Sequence, residues 1–178
     1  MRALPDHLET RRLRLRAPRV DDAEALFATY TQDPDVSRYM IWTPHERVEE
    51  TREYIDRSIV EWTAGTSLPY VITTREGAPI GMIEARLRAT FAEIGYVLAR
   101  AYWRRGLMPE AIGVVTDALL ANPRFFRVQA MCDVDNVGSA RVLEESGFVR
   151  EGRLERATVH PNLSPEPRAC FLYARVRP

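Results

Sequence analysis

The sequence predicts an α/β or α+β sandwich: a mixed, mostly antiparallel sheet flanked by helices. Three observations lead there. β-type runs and helical periodicities alternate along the chain. Three strand candidates in the middle follow one another as a meander. The second half then reads strand, helix, strand, helix and a strand pair, a pattern that covers a sheet with helices. The full order is β-α-α-β-β-β-α-β-α-β-β.

The first strand is expected over Arg11 to Arg16, where Leu13 and Leu15 alternate with Arg12, Arg14 and Arg16. The arginines would form a solvated outer face or, on a sharper reading, a basic patch. Asp21 or Asp22 then caps a helix carrying Ala25, Leu26 and Phe27. Tyr39-Met40-Ile41-Trp42-Thr43-Pro44 is apolar but aperiodic. A second helix runs from about Val48 to Trp62, with Tyr54, Ile55, Ile59 and Trp62 near helical spacing. Tyr70 to Thr73 is β-rich, Glu76-Gly77 marks a turn, and Ile80 to Leu87 and Phe91 to Leu98 continue the meander. Pro109 opens a helix to about Ala121, with Ile112, Val115 and Leu119 on one face. Val128 to Val134 is a buried-type strand. Asn136 to about Ser146 is a helix that Gly147 stops. Arg150 to Val159 and Ala169 to Val176 form the last strand pair, joined by a Pro-rich loop from Pro161 to Pro167.

The chain has 178 residues, which at roughly 100–200 residues per domain is one domain, residues 1–178. With 46% hydrophobic and 28% charged residues, disorder and low complexity are excluded. No apolar run approaches the ~18–20 residues of a membrane span. The opening Met1-Arg2-Ala3-Leu4-Pro5-Asp6 lacks the apolar core of a signal peptide, so a soluble cytoplasmic protein is expected. The 25 basic and 25 acidic residues cancel, which gives no electrostatic footprint for nucleic acid or anionic lipid. All the basic residues are Arg. Without Lys, the usual P-loop NTPases, pyridoxal-phosphate enzymes, Schiff-base aldolases and protein kinases are excluded. His7, His45, His160, Cys132 and Cys170 are not spaced as metal ligands, and both cysteines fall in strand-like runs as buried thiols.

The segment richest in chemistry is Glu93-Ile94-Gly95-Tyr96-Val97-Leu98, followed by Trp103-Arg104-Arg105-Gly106-Leu107-Met108-Pro109-Glu110-Ala111. A strand passes through an Arg/Gly turn into a helix start. Unpaired N–H groups and the positive end of the helix dipole make such a place an anion site, suited to phosphate or diphosphate. Gly106 would let the backbone approach closely, and Arg104 and Arg105 can add bidentate donors. An ordinary turn at Gly106 is the plainer alternative. The glycines of a dinucleotide fingerprint and the Lys of a Walker loop are absent.

This segment resembles the acyl-CoA diphosphate loop of the GCN5-related N-acetyltransferases (GNAT), in the RimJ/RimL-like subgroup that modifies ribosomal-protein N-termini. There the loop usually reads Trp-Gly-x-Gly-Tyr-x-Thr-Glu-Ala. Further likenesses are Glu93-Ile94-Gly95-Tyr96, Asp135-Asn136-Val137-Gly138-Ser139, Glu145-Ser146-Gly147-Phe148, Glu151-Gly152, the opening Glu9-Thr10-Arg11-Arg12-Leu13-Arg14-Leu15-Arg16 and the Pro44-His45-Glu46 turn. The likeness spans nearly the whole chain in order. Arg104 replaces the loop's first glycine and Pro109 its Thr. Leu143 stands seven residues after Asn136, where many members place a Tyr as general acid.

The resemblance implies a GNAT fold, acetyl-CoA as co-substrate and direct acetyl transfer to an amine in a ternary complex. The amine must be neutral to attack. Only about 0.04% of a lysine-type amine is neutral at pH 7, whereas an α-amine, with a pKa of about 7.7–8.0, is far easier to deprotonate. On this pattern Glu93 is the first choice of base and Glu84 the reserve. Main-chain amides near Val97 and Leu98, beside Tyr96, hold the pantetheine arm. Trp103, Arg104, Arg105, Gly106, Leu107 and Met108 form the diphosphate loop. Asn136 bonds pantetheine from its helix start, with a plain cap as the alternative. Ser139, one turn on, assists the leaving thiolate, with a bland surface hydroxyl as the alternative. Tyr173 and Cys132 are weaker candidates. Tyr39, Trp42 and the loop from His160 to Pro167 line the acceptor side. The acceptor is a protein or peptide N-terminus, or a small amine. A non-catalytic acyl-CoA-binding module, with Leu143 in its favour, and a plain structural domain are the rivals. A homodimer is a family-level expectation.

Overall fold

The structure, a computed structural model, describes residues 3–177; Met1 and Arg2 of the opening, and Pro178, lie outside the described residues. Strands β1 (His7–Glu9), β2 (Leu13–Arg16), β3 (Ser67–Thr74), β4 (Pro79–Leu87), β5 (Phe91–Leu98), β6 (Arg127–Asp133), β7 (Val149–Val159) and β8 (Pro167–Val176) form one sheet in the order β1-β2-β3-β4-β5-β6-β8-β7. Neighbours pair antiparallel except β5 and β6, which are parallel. The helices are α1 (Asp22–Leu26), continued by a π-helical turn over Phe27–Thr31, α2 (Pro34–Ser37), α3 (Val48–Ala64), α4 (Leu107–Ala121) and α5 (Val137–Glu145). The predicted sandwich is present. No helix among the described residues is long and apolar enough to cross a membrane.

In its middle, at β3 and β4, the sheet is buried on both faces. On one, Leu13, Leu15, Ile72, Ile83, Ile94 and Val128 pack with Ile112, Val115 and Leu119 of α4 and Leu143 of α5. On the other, Val71 and Met82 pack with Ala23, Leu26, Tyr30, Val36 and Ile55 from the first three helices and the turn between them. The helical spacing read from α3 and α4 is thus a record of what each helix buries.

Several local expectations are corrected. The first long strand begins at Leu13, and β1 precedes it; three residues are too few to show a period, and β1 exists because it pairs with β2. The arginines of β2, and Arg12 just before it, lie exposed or half-buried on an outer face as expected, but each is paired with a carboxylate. Arg16 grips the buried Asp22 at 2.5 Å, Arg14 lies 3.4 Å from Glu9, and Arg12 bonds Glu110 at 2.6 Å. Asp22 therefore serves an ion pair and accepts the Arg19 N–H, while Asp21 makes no side-chain cap bond. Helix α4 starts at Leu107, so Pro109 stands inside its first turn, where a missing N–H still costs nothing. Helix α2 shows no apolar period because it has only four residues; Asp33 caps it, accepting from the Asp35 N–H.

Candidate active site

The site begins with a break in the sheet. β5 and β6 share only three parallel rungs, Phe91–Arg127, Ala92–Val128 and Glu93–Gln129. Beyond them, residues 94–98 of β5 and 130–133 of β6 run on unpaired with each other. Each strand stays tied on its other side. β5 pairs with β4 up to Leu98, and β6 pairs with β8 from Arg127 to Asp133. Two rigid half-sheets therefore diverge and leave a wedge between them.

Main-chain groups line that wedge. The Ala99 N–H bonds the Ile80 carbonyl, and bonded residues alternate along an antiparallel pair. Gly95 and Val97 consequently face β4, whereas Tyr96 and Leu98 turn their N–H and C=O groups toward the wedge. The Val97 carbonyl lies against Gly81, where a Cβ would come within 2.3 Å of it. The expectation for Val97 is thereby corrected: its main chain is committed to β4, and Tyr96 and Leu98 supply the inward-facing groups. The Leu98 carbonyl accepts the Trp103 indole N–H at 2.6 Å, so Trp103 secures the turn after β5.

Because β5 and β6 are parallel, their carboxyl ends lie together, and each leads into a helix. Two helix N-termini, α4 and α5, therefore stand at the mouth of the wedge, where their dipoles favour an anion. At α4, Gly106 is the cap residue at φ +67°, and Arg104 is also left-handed at φ +58°. The loop thus keeps a left-handed residue where the family's first glycine would stand. Leu107 and Met108 bury their side chains in the core, so only their main chain can meet a ligand. Arg104 and Arg105 are exposed, and the Arg105 guanidinium lies over the Tyr102 ring at 5.5 Å. At α5, Asn136 accepts the Ser139 N–H at 3.1 Å, which fulfils the cap reading.

Tyr96 and Ser139 are brought together. The tyrosine reaches from β5 across the wedge, and the two hydroxyls bond at 2.7 Å. Burial holds the Tyr96 phenol well above its ordinary pKa and pushes the Cys132 thiol to about 11, so both are protonated at neutral pH. Leu143 is wholly buried in the core and has no access to the wedge. The Tyr173 hydroxyl donates to Glu144. Cys132 and Cys170 are buried free thiols, as expected.

Glu93 sits on the last rung before the opening. Arg86 lies 3.2 Å from its carboxylate, which accepts the Gln129 amide at 3.3 Å. Glu84 lies one rung pair along the same face, opposite Gly95, and accepts the Ser67 hydroxyl at 2.6 Å. The helices α1–α3 cover this face. There the Trp42 ring leans on His45 at 5.4 Å, and His45 Nδ1 bonds the Thr51 hydroxyl. Burial lowers the His45 pKa, so its ring is neutral at pH 7. The Tyr39 hydroxyl donates to the Asp135 carbonyl. Asn162, in the β7–β8 loop, donates to the carbonyls of Ser37 and Trp42. The aromatic segment and the late loop, expected to line the acceptor side, are thus fastened to each other.

Sequence reasoning missed one polar junction. Glu110 accepts from the Thr10 hydroxyl, from the Arg12 N–H at 2.9 Å and from Arg12 Nε at 2.6 Å. Arg12 also donates to the carbonyls of Arg105 and Gly106. His45 reads from the sequence as part of a turn and not as a metal ligand, and its bond to Thr51 does not show there. In both cases the residue was visible and its partner was not.

A parallel pair opened at its carboxyl end, with a helix N-terminus behind each strand, defines an α/β protein built to hold a long anionic ligand within its sheet. The family follows from comparison. The model of the acetyltransferase (GNAT) domain matches residues 12–149, and the chain belongs to that family of N-acetyltransferases. It is 30% identical over 153 residues to the uncharacterized N-acetyltransferase p20 of Bacillus licheniformis, covering 83% of this chain and 84% of p20. In fold it matches the microcin C7 self-immunity acetyltransferase MccE, solved with acetyl-CoA and AMP, with a TM-score of 0.88 at 21% identity over 97% of both chains. It also matches RimL, the ribosomal L7/L12 α-N-protein acetyltransferase solved with coenzyme A, with a TM-score of 0.84 at 22% identity, covering 98% of this chain and 97% of RimL.

Proposed function

We propose that the chain transfers an acetyl group from acetyl-CoA to a primary amine, with both held together in the wedge between β5 and β6. The acceptor is a protein or peptide N-terminus or a small amine. The carrying observation is the three-rung parallel pair that opens toward two helix N-termini. The donor set fits the co-substrate. First-turn amides of α4, with Arg104 and Arg105, suit a diphosphate. The strand-edge groups of Tyr96 and Leu98, and Asn136, suit the amides of a pantetheine arm. Acetyl-CoA supplies an acyl group already activated as a thioester.

The residues then divide the work. Glu93 takes the amine proton, directly or through water, with Glu84 in reserve on the same face. The wedge-facing N–H groups polarise the acyl carbonyl. With Leu143 in the core, Ser139 is the hydroxyl at hand for the leaving sulfur. If Tyr96 is the donor in their shared bond, the Ser139 proton is left to point into the wedge. Trp42 and Tyr39 face the acceptor. RimL is named for a protein α-amine, whereas the fold likeness at 22% identity leaves both acceptor classes open to test.

Leu143 favours a second reading, a binding module without turnover. Thiol release from acetyl-CoA, measured across N-terminal peptides, amino acids and polyamines, separates the two. Release with one acceptor class supports the enzyme; CoA binding with no release for any acceptor supports the module. A homodimer would pair along β7, which ends the sheet and exposes Val149, Leu154 and Val159. Light scattering after gel filtration reads that directly.

A further inference from the structure

We propose that Arg12 is the positioning residue of the diphosphate loop, aiming its main-chain donors by holding its carbonyls; this rests on the acyl-CoA reading above. Arg12 immediately precedes β2, next to Leu13, which is fully buried and paired with β3. Its base is therefore fixed to the sheet. Its Nη1 donates to the Arg105 carbonyl at 2.7 Å and its Nη2 to the Gly106 carbonyl at 2.9 Å. Its Nε donates to Glu110 at 2.6 Å, and Thr10 completes the bracket on the same carboxylate.

The consequence follows from the planar trans peptide, in which the N–H points opposite to the preceding C=O. Drawing the Arg105 and Gly106 carbonyls to one side turns the Gly106 and Leu107 N–H groups to the other. Those N–H groups belong to the start of α4 and have no intrahelical acceptor, so they are available to an anion. A Cβ at Gly106 would stand 3.5 Å from the Arg12 guanidinium, so the left-handed glycine and the fork sit in contact. Glu110 neutralises the charge of Arg12, which makes its contribution directional. Lys cannot replace it, because an ammonium lacks the fork that reaches two carbonyls and a carboxylate at once.

The test is titration calorimetry of the full chain with CoA and with pantetheine, which lacks the diphosphate and nucleotide. Arg12→Lys is expected to weaken CoA binding about tenfold and pantetheine binding less than twofold. A Lys variant that binds CoA like wild type, or that loses both ligands in equal proportion, overturns the assignment. A second measurement needs no variant. On adding CoA to 15N-labelled wild-type protein, the Gly106 and Leu107 amide protons move downfield, and on adding pantetheine they do not. Unmoved amides in a protein that binds CoA overturn the Arg12 role alone. A wild type that takes up no CoA overturns the acyl-CoA reading, and the Arg12 role with it.

Discussion

Arg104 shows how a single backbone angle is carried by an unfavourable side chain. At φ +58° a residue with a Cβ costs about 1–2 kcal/mol relative to glycine. The usual order of stability is therefore reversed here: Arg104→Gly is expected to be more stable than Arg104→Ala by about 1 kcal/mol in urea denaturation. At Asn136 two roles separate by measurement. Losing the cap on α5 costs about 1 kcal/mol, and if the side chain also holds pantetheine, Asn136→Ala weakens CoA binding beyond what that loss explains. For Glu93, the Glu93→Gln variant should lower turnover more than CoA affinity. Full activity would move the base to Glu84 or to the neutral His45 ring, and steady-state kinetics with the identified acceptor decides.

Two contacts between elements set the shape of the wedge. Gly81 lets β4 and β5 approach so closely that an added methyl meets the Val97 carbonyl. Gly81→Ala should cost on the order of 1–3 kcal/mol and disturb the wedge-facing edge, read as a lowered urea midpoint. The β2–α4 junction carries a pH dependence. Burial would raise the Glu110 carboxyl, but the bonds from Thr10 and Arg12 outweigh it and hold its pKa below 4.5. A carboxyl lowered on folding contributes its full stability above its unfolded value and loses it as pH falls through the folded one. Urea midpoints measured from pH 7 to 3 should therefore fall below about pH 4.5, and Glu110→Gln should flatten part of that slope. Asp133 acts in the same sense at the end of β6: burial opposes ionisation, and the bonds from Arg168 and the Asp135 N–H prevail.

For the whole molecule, CoA at about 100 times its dissociation constant should add about 2.7 kcal/mol to folding stability. In a chain of this size that is a rise of about 5–10 °C in melting temperature; no rise would remove the co-substrate. The sheet's meander, the faces of α3 and α4 and the stop at Gly147 were legible because each is a local matter of period, turn or cap. So was the loop at Gly106, whose residues are contiguous. The junction of Arg12 with Glu110, the Tyr96–Ser139 bond and the binding of Asn162 to the 37–42 segment were not, because each joins residues distant in sequence. The short β1 and α2 escaped for the opposite reason: they hold too few residues to show a period and depend on their neighbours.

The sequence by itself determined the longer strands and helices and the turn at Gly106, since alternation, helical spacing and a left-handed glycine act over a few neighbours. Only the tertiary structure decided that β5 and β6 part after Glu93, which edge of β5 looks into the opening and which arginine steadies the loop. Those outcomes depend on how completely each strand is held on its far side, a balance of pairing across the whole sheet that no local stretch of chain records.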